Sequence, residues 1–240
     1  MLNDERRAVV GASIRAIPDF PKKGILFQDV TTLLLDPKVC VRREERRGKS
    51  ERDHRRIGRP KEAAARENAL SQPALLLHHP IHPFIQAFQY SIDDFVDRYR
   101  AMGLDAIAGF EARGFIFGPP IALALGLPFV PLRKPGKLPG NTVSIAYELE
   151  YGTDKLEMHA DAVQPGARVL LVDDLVATGG TLAAGIALLK QVGAVAVECA
   201  AVIELPELNG RAKLSGTPLY VQVEKEDGVP AELAAADSER

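Results

Sequence analysis

The residues best equipped for chemistry lie at 169–181, where VLLVDDLVATGGT places two adjacent carboxylates and a Thr-Gly-Gly-Thr turn directly after an apolar run. An open α/β sheet binds ligands at the carboxyl ends of its strands, so a strand here delivers Asp173 and Asp174 to that edge. Paired acids in such a place accept hydrogen bonds from sugar hydroxyls or hold a hydrated divalent cation. Ala177, Thr178, Gly179, Gly180 and Thr181 then lead into a helical pattern. Glycines allow backbone N–H groups to turn inward, hydroxyls add donors, and the helix N-terminus contributes its positive dipole end, which together make a phosphate cradle. A bare Gly-Gly turn with two solvated acids is the plainer reading of the same residues. The ordered set of strand, acid pair, hydroxyl-glycine turn and helix favours the cradle. Neither G-x-x-x-x-G-K-[ST] nor G-x-G-x-x-G with a downstream ribose-binding acid occurs, so the P-loop and dinucleotide-binding readings lose support.

The elements that must carry this turn alternate between short apolar runs and helical patterns. Strands are expected over 106–110, 129–132, 168–172 and 194–203, and helices over 116–125 and 181–192. Pro119-Pro120 restricts the first of those helices to a start near Pro119. Residues 143–149 and 155–158 form a two-strand excursion that turns at Tyr151-Gly152. The fold class is α/β, a mainly parallel twisted sheet flanked by helices.

The chain has 240 residues and a formal net charge of -2, one domain's worth of sequence with no overall basic excess for nucleic acid. No apolar run approaches the roughly 20 residues needed to cross a bilayer. Two cysteines, Cys40 and Cys199, are too few for a disulfide framework or a cysteine metal site. The opening MLNDERRAVV, with Asp4 and Glu5 ahead of any apolar stretch, suits neither a secretory nor a transit signal, and a cytoplasmic address is expected.

That small net charge is unevenly distributed. Residues 39–86 hold 11 Lys and Arg against six Asp and Glu, a net +5, and leave the remainder at −7. Four of the five histidines (54, 78, 79 and 82) fall in the same block. From Val41 to Arg66 little larger than alanine recurs at helical or strand spacing, and the block is expected to be disordered. Three readings compete: a basic arm, a histidine metal site and a passive insertion. Joining Lys38 to Ala87 restores a continuous amphipathic helix, with Phe88, Ile92, Phe95 and Tyr99 on one face and Asp36-Pro37 as its start. Val39 can be coded by a triplet beginning GT and Gln86 by CAG, so the block has the edges of a translated intron; transcript sequencing decides this. The domain reading is therefore one domain over 1–240, interrupted at 39–86, with a frayed polar tail at 224–240.

VLLVDDLVATGGT resembles the phosphoribosyl pyrophosphate motif of type I phosphoribosyltransferases. Together with IPDFPKKGILFQDVTTLL, GFEARGFIFGPPIA, LRKPGKLPG, YELEYGTDKLEMH and CAAVIELPEL, the sequence is similar to the adenine phosphoribosyltransferase family, in its plant forms especially. The similarity runs from about Ile14 to Leu219 apart from 39–86. It implies conversion of adenine and phosphoribosyl pyrophosphate to AMP and pyrophosphate, with Mg²⁺ as cofactor and a homodimer as the assembly. By the same resemblance Ala177 to Thr181 hold the 5′-phosphate. Asp173 and Asp174 hold the ribose hydroxyls and, through water or substrate, the metal. Arg113, Lys134 and Lys137 face pyrophosphate, and Glu111-Ala112 is a cis peptide. Phe27 stacks on the base, Leu26 and Gln28 present backbone groups to its edge, and Leu205 covers its other face. Gln28 stands where many relatives have Arg, which matters little if only main-chain atoms are used. Glu150 and Tyr151 match the tip of a mobile loop, Glu150 managing the proton at adenine. The resemblance leaves open another base, such as xanthine, or a non-catalytic regulator.

Overall fold

The computed structural model describes residues 2–20, 22–34, 83–148 and 153–225. Most of the block, the loop tip at Glu150 and Tyr151, and the tail beyond Lys225 therefore lie outside the described residues. The chain starts with α1 (Leu2–Ser13), a β1–β2 hairpin (Arg15–Pro18, Leu26–Asp29) and a 3-10 turn (Val30–Leu34). Then come α2 (Pro83–Tyr99), β3 (Ala106–Phe110), α3 (Gly114–Leu125), β4 (Phe129–Leu132), β5 (Thr142–Glu148) and β6 (Thr153–His159). The last elements are β7 (Arg168–Val176), α4 (Gly180–Gln191), β8 (Val195–Glu204), two 3-10 turns and β9 (Leu219–Glu224). The central sheet has the order β4-β3-β7-β8-β9, parallel throughout. Its two central neighbours, β3 and β7, are buried through Ala106, Ile107, Ala108 and Val169 to Val172, as strands covered on both faces must be. The antiparallel β5–β6 pair stands apart from that sheet.

Two expectations are corrected. Strand β7 continues past Val172 to Val176, so Asp173 and Asp174 stand within it, still paired to β8 through Asp173 and Ala201. Helix α3 starts at Gly114, not near Pro119, and holds both prolines inside. Each proline forgoes the bond to the carbonyl four residues back. Complete burial of Phe117 and Ile121 on the same helix offsets that loss. Gly118 makes the packing possible, since a Cβ there would lie 2.4 Å from the Phe129 ring. Elements α1, β1, β2 and β9 had no counterpart in the periodicity.

Helix α2 carries the expected stripe, with Ile92, Phe95 and Tyr99 buried. It begins at Pro83, so the last four residues of the basic block form its first turn, with proline where a helix tolerates it. Downstream of the block a polar network holds it in place. Ser91 Oγ donates to Gln222 Oε1 at 2.7 Å, and Gln222 Nε2 to Asp94 at 3.2 Å. The Tyr220 hydroxyl donates to Asp94, and Arg7 Nη2 donates to Tyr220 at 2.6 Å. Arg98 grips Glu198 through two bonds of 2.6 and 2.9 Å. Because these anchors all lie outside 39–86, a protein lacking that block is expected to melt at or above the temperature of the full chain. Differential scanning calorimetry showing a markedly lower midpoint for the deletion would mean the block belongs to the fold.

Candidate active site

A cleft of about 520 Å³ opens at the carboxyl ends of β3 and β7. Its floor comes from two strand-to-helix crossovers, and each crossover depends on a glycine. Gly114, at the start of α3, lies so close to β7 that a Cβ would meet the Val172 carbonyl at 2.7 Å. Gly179, at the start of α4, has φ +76 and presses on Gly210, where a Cβ would lie 2.2 Å from the carbonyl oxygen. No side chain caps α4. The first-turn N–H groups of a helix lack intrahelical partners, and here Gly180, Thr181 and Leu182 line the cleft. Ala177, Thr178 and Gly179 complete that wall of the cleft.

Asp173 and Asp174 stand beside it. The Asp174 side chain is 4% exposed and pairs with Arg113, whose Nε lies 2.5 Å from Oδ2. Asp173 accepts the Asp174 backbone N–H at 2.9 Å and faces the cleft. Loss of solvent, then the neighbouring Asp174 charge, push the Asp173 carboxyl up from its ordinary value. Asp173 keeps a partly exposed edge on the cleft.

The Glu111-Ala112 peptide is cis and lines the same cleft. Arg133 donates to the Glu111 carboxylate twice, at 2.7 and 3.1 Å, and holds it below the usual carboxylate range. The same guanidinium donates to the Lys137 carbonyl at 2.9 Å. Lys134 enters the cleft and pairs with Asp154 at 2.8 Å, whereas the exposed Lys137 stays off its walls.

The hairpin residues expected to hold the base sit next to this cleft, not in it. Phe27 packs edge-on against Phe20 at 5.1 Å, and the Arg113 guanidinium lies over its ring at 5.4 Å. Leu26 and Gln28 are in strand β2, opposite Pro18 and Ala16, with the Gln28 side chain buried. Leu205 is buried at the end of β8, its N–H donating to the Val176 carbonyl at 2.9 Å. Arg113 is therefore the physical link between the two halves, touching Phe27 on one side and Asp174 on the other. Among the described residues no group of three or more His, Cys, Asp or Glu side chains is placed to hold a metal ion. The histidine-site reading rests on His54, His78, His79 and His82, which lie outside the described residues.

Tyr147 and Asp154 also line the cleft and were not anticipated. They are direct partners in the antiparallel β5–β6 ladder. Fixing that register from the Tyr151-Gly152 turn and following alternate residues would have placed both on one face.

Residues 93–218 match the phosphoribosyl transferase domain family. Adenine phosphoribosyltransferase 4 of Arabidopsis thaliana is 51% identical over 223 residues, covering 93% of this chain and 96% of that protein. The crystal structure of adenine phosphoribosyltransferase from Thermoanaerobacter pseudethanolicus superposes with a TM-score of 0.68 at 39% identity, over 91% of this chain and 99% of that one. The Saccharomyces cerevisiae enzyme, solved with adenine and an imino-altritol bisphosphate, gives 0.67 at 31% identity, over 91% and 99%. A cleft built on a glycine turn and an acid pair, on this sheet and with these relatives, places the chain in the adenine phosphoribosyltransferase family of type I phosphoribosyltransferases.

Proposed function

We infer that this protein transfers the 5-phosphoribosyl group from phosphoribosyl pyrophosphate to adenine, giving AMP and pyrophosphate. The observation that carries the reading is the uncapped glycine turn before α4, set beside Asp173 and Asp174 in one cleft with Arg113 and Lys134. In the reaction the bond from ribose C1 to the diphosphate oxygen breaks, the bond from C1 to adenine N9 forms, and the N9 proton leaves. Charge moves onto the departing diphosphate while the ribose ring gains positive character, so a site needs fixed cations at one end and carboxylates near the sugar. Arg113 and Lys134 meet the first need and the two aspartates the second. The turn of Ala177 to Thr181 fastens the 5′-phosphate, holding C1 in place without taking part in bond exchange. Phe27 offers a ring for the base, and Leu26, Gln28 and Leu205 belong to that half of the site. Glu150, from the loop tip, is assigned the adenine proton, with Tyr151 beside it.

Mg²⁺ belongs to this reading. Asp173 and Asp174 supply the hard oxygens the ion prefers, and two carboxylates suit an ion held mostly by substrate and water. These residues would hold Mg²⁺ where it would supply charge neutralisation for the diphosphate. A homodimer in the cytoplasm is the proposed setting. Among the described residues no helix is long and apolar enough to cross a membrane.

The test is pyrophosphate release measured with phosphoribosyl pyrophosphate against a panel of adenine, hypoxanthine, guanine and xanthine. Adenine is expected to be turned over with the highest kcat/KM. Preference for xanthine would reassign the base, and ligand binding without turnover on any base would make the protein a binder and not an enzyme.

A further inference from the structure

Lys134 is exposed over 65% of its side chain, yet its ammonium lies 2.8 Å from Asp154, whose own side chain is 19% exposed. Both residues line the 520 Å³ cleft. They come from different elements: Lys134 follows β4, and Asp154 lies on β6 opposite Tyr147. The pair therefore joins the hairpin to the loop beneath it across the space where a diphosphate must be received.

Asp154 is not needed to bring those two segments together. A backbone bridge does so three residues away, with Arg133 N–H donating to the Glu157 carbonyl at 2.9 Å and Glu157 N–H returning to Arg133 at 2.7 Å. Gly136 N–H donates to the Glu157 carboxylate as well. Asp154 also accepts the Lys155 backbone N–H at 2.8 Å, a bond within its own strand that an asparagine oxygen can keep, so across the cleft its contribution is chiefly its charge. Lys134 pulls the Asp154 carboxyl below its ordinary value, and Asp154 raises the Lys134 ammonium above its own, so both stay ionised.

We propose that Asp154 is the resident counter-ion of Lys134 and sets the affinity for the diphosphate-bearing substrate. Before substrate arrives, the pair presents no net charge to the cleft. A diphosphate that engages Lys134 competes with Asp154 for the ammonium's charge, and the carboxylate remains as a fixed negative charge on the wall. Asp154 thus weakens the bound state, which also makes pyrophosphate easier to release. The proposal rests on the reading of phosphoribosyl pyrophosphate as substrate.

The experiment compares the wild type with Asp154→Asn and Asp154→Glu. Steady-state kinetics and calorimetric titration with phosphoribosyl pyrophosphate are measured side by side. Loss of one exposed ion pair is worth up to about fivefold in an equilibrium. Asp154→Asn is expected to bind the diphosphate substrate about two- to fivefold more tightly, with a lower KM for it and an unchanged KM for adenine. Asp154→Glu keeps the charge and is expected to behave as wild type. An unchanged or weaker affinity in Asp154→Asn overturns the proposal, because a residue that merely positions Lys134 predicts weakening. Absence of turnover in the wild type removes the enzymatic reading, while the calorimetric comparison still decides the counter-ion role.

Discussion

Gly179→Ala is expected to lower kcat/KM for phosphoribosyl pyrophosphate by roughly 10²- to 10³-fold, the scale associated with losing preorganised donors at a charged group. Two effects act together. A residue with a Cβ at φ +76 pays on the order of 1 kcal/mol for the left-handed conformation. The added carbon would also lie 2.2 Å from the Gly210 carbonyl oxygen and 2.9 Å from its carbon, atoms that have no rotamer in which to retreat. Gly210 cannot back away freely, because it is itself packed where a Cβ would meet the Ala177 carbonyl at 2.3 Å. The turn must therefore open, carrying the first-turn N–H groups of α4 away from the phosphate. Gly136→Ala supplies the control, since Gly136 has φ +73 with nothing within 4 Å of the added carbon. It is expected to show the conformational cost alone, as a small drop in melting temperature. Wild-type kinetics in Gly179→Ala would show that the turn does not bind the phosphate.

The second large effect is expected at Arg113. Arg113→Ala leaves Asp174, 4% exposed, without the guanidinium that balances it. Removing one partner of a buried pair is costly because the other charge stays behind; with Arg113 itself 40% exposed, a loss of about 1–3 kcal/mol is expected rather than the larger cost of a fully buried pair. In kinetics the fall in kcat/KM is expected to reach about 10²-fold or more, as for other groups aimed at transition-state charge. Its signature is that the KM values for both substrates move, because the same guanidinium lies over Phe27 and against Asp174. Arg113→Lys is not expected to restore activity, since an ammonium lacks both the planar face and the fork of donors. A variant that changes only the diphosphate substrate's KM would mean the Phe27 contact has no role in holding the base.

Where the chain was legible before its structure was known, one dominant force controlled each local stretch. Strands β3 and β4 fall on the expected residues because they are short, apolar and bounded by turns. The glycine turn before α4 was legible for a different reason: glycine and hydroxyl residues at that spacing have few other uses. Proline misled at α3, where the local rule against helix-interior proline gives way to burial of Phe117 and Ile121. Asp173 and Asp174 marked the strand's end as polar residues usually do, yet pairing with β8 carries β7 through them to Val176. Strand β9 gave little warning, because Leu219 to Glu224 is partly polar and becomes a strand by pairing with β8. At the site, acids and glycines were found from type and spacing, but Asp154 depends on a cross-strand register that no single segment encodes. The contact of Arg113 with Phe27 joins residues 86 positions apart and has no local signature.

The polar network around α2 also sets the order in which the molecule can be completed. Arg7 of the first helix bonds Tyr220 of the last strand, 213 positions away, and Lys225 reaches the Gly11 carbonyl across 214. A ribosome makes α1 first and β9 last, at about 5–20 residues per second. Helix α1 meets α2 earlier, through Arg6 with Asp97 and Arg7 with Asp94, but the bonds to Tyr220 and from Lys225 wait for the last strand. The fastening of α1 to β9 is thus a late step, completed only when β9 has emerged and taken its place beside β8.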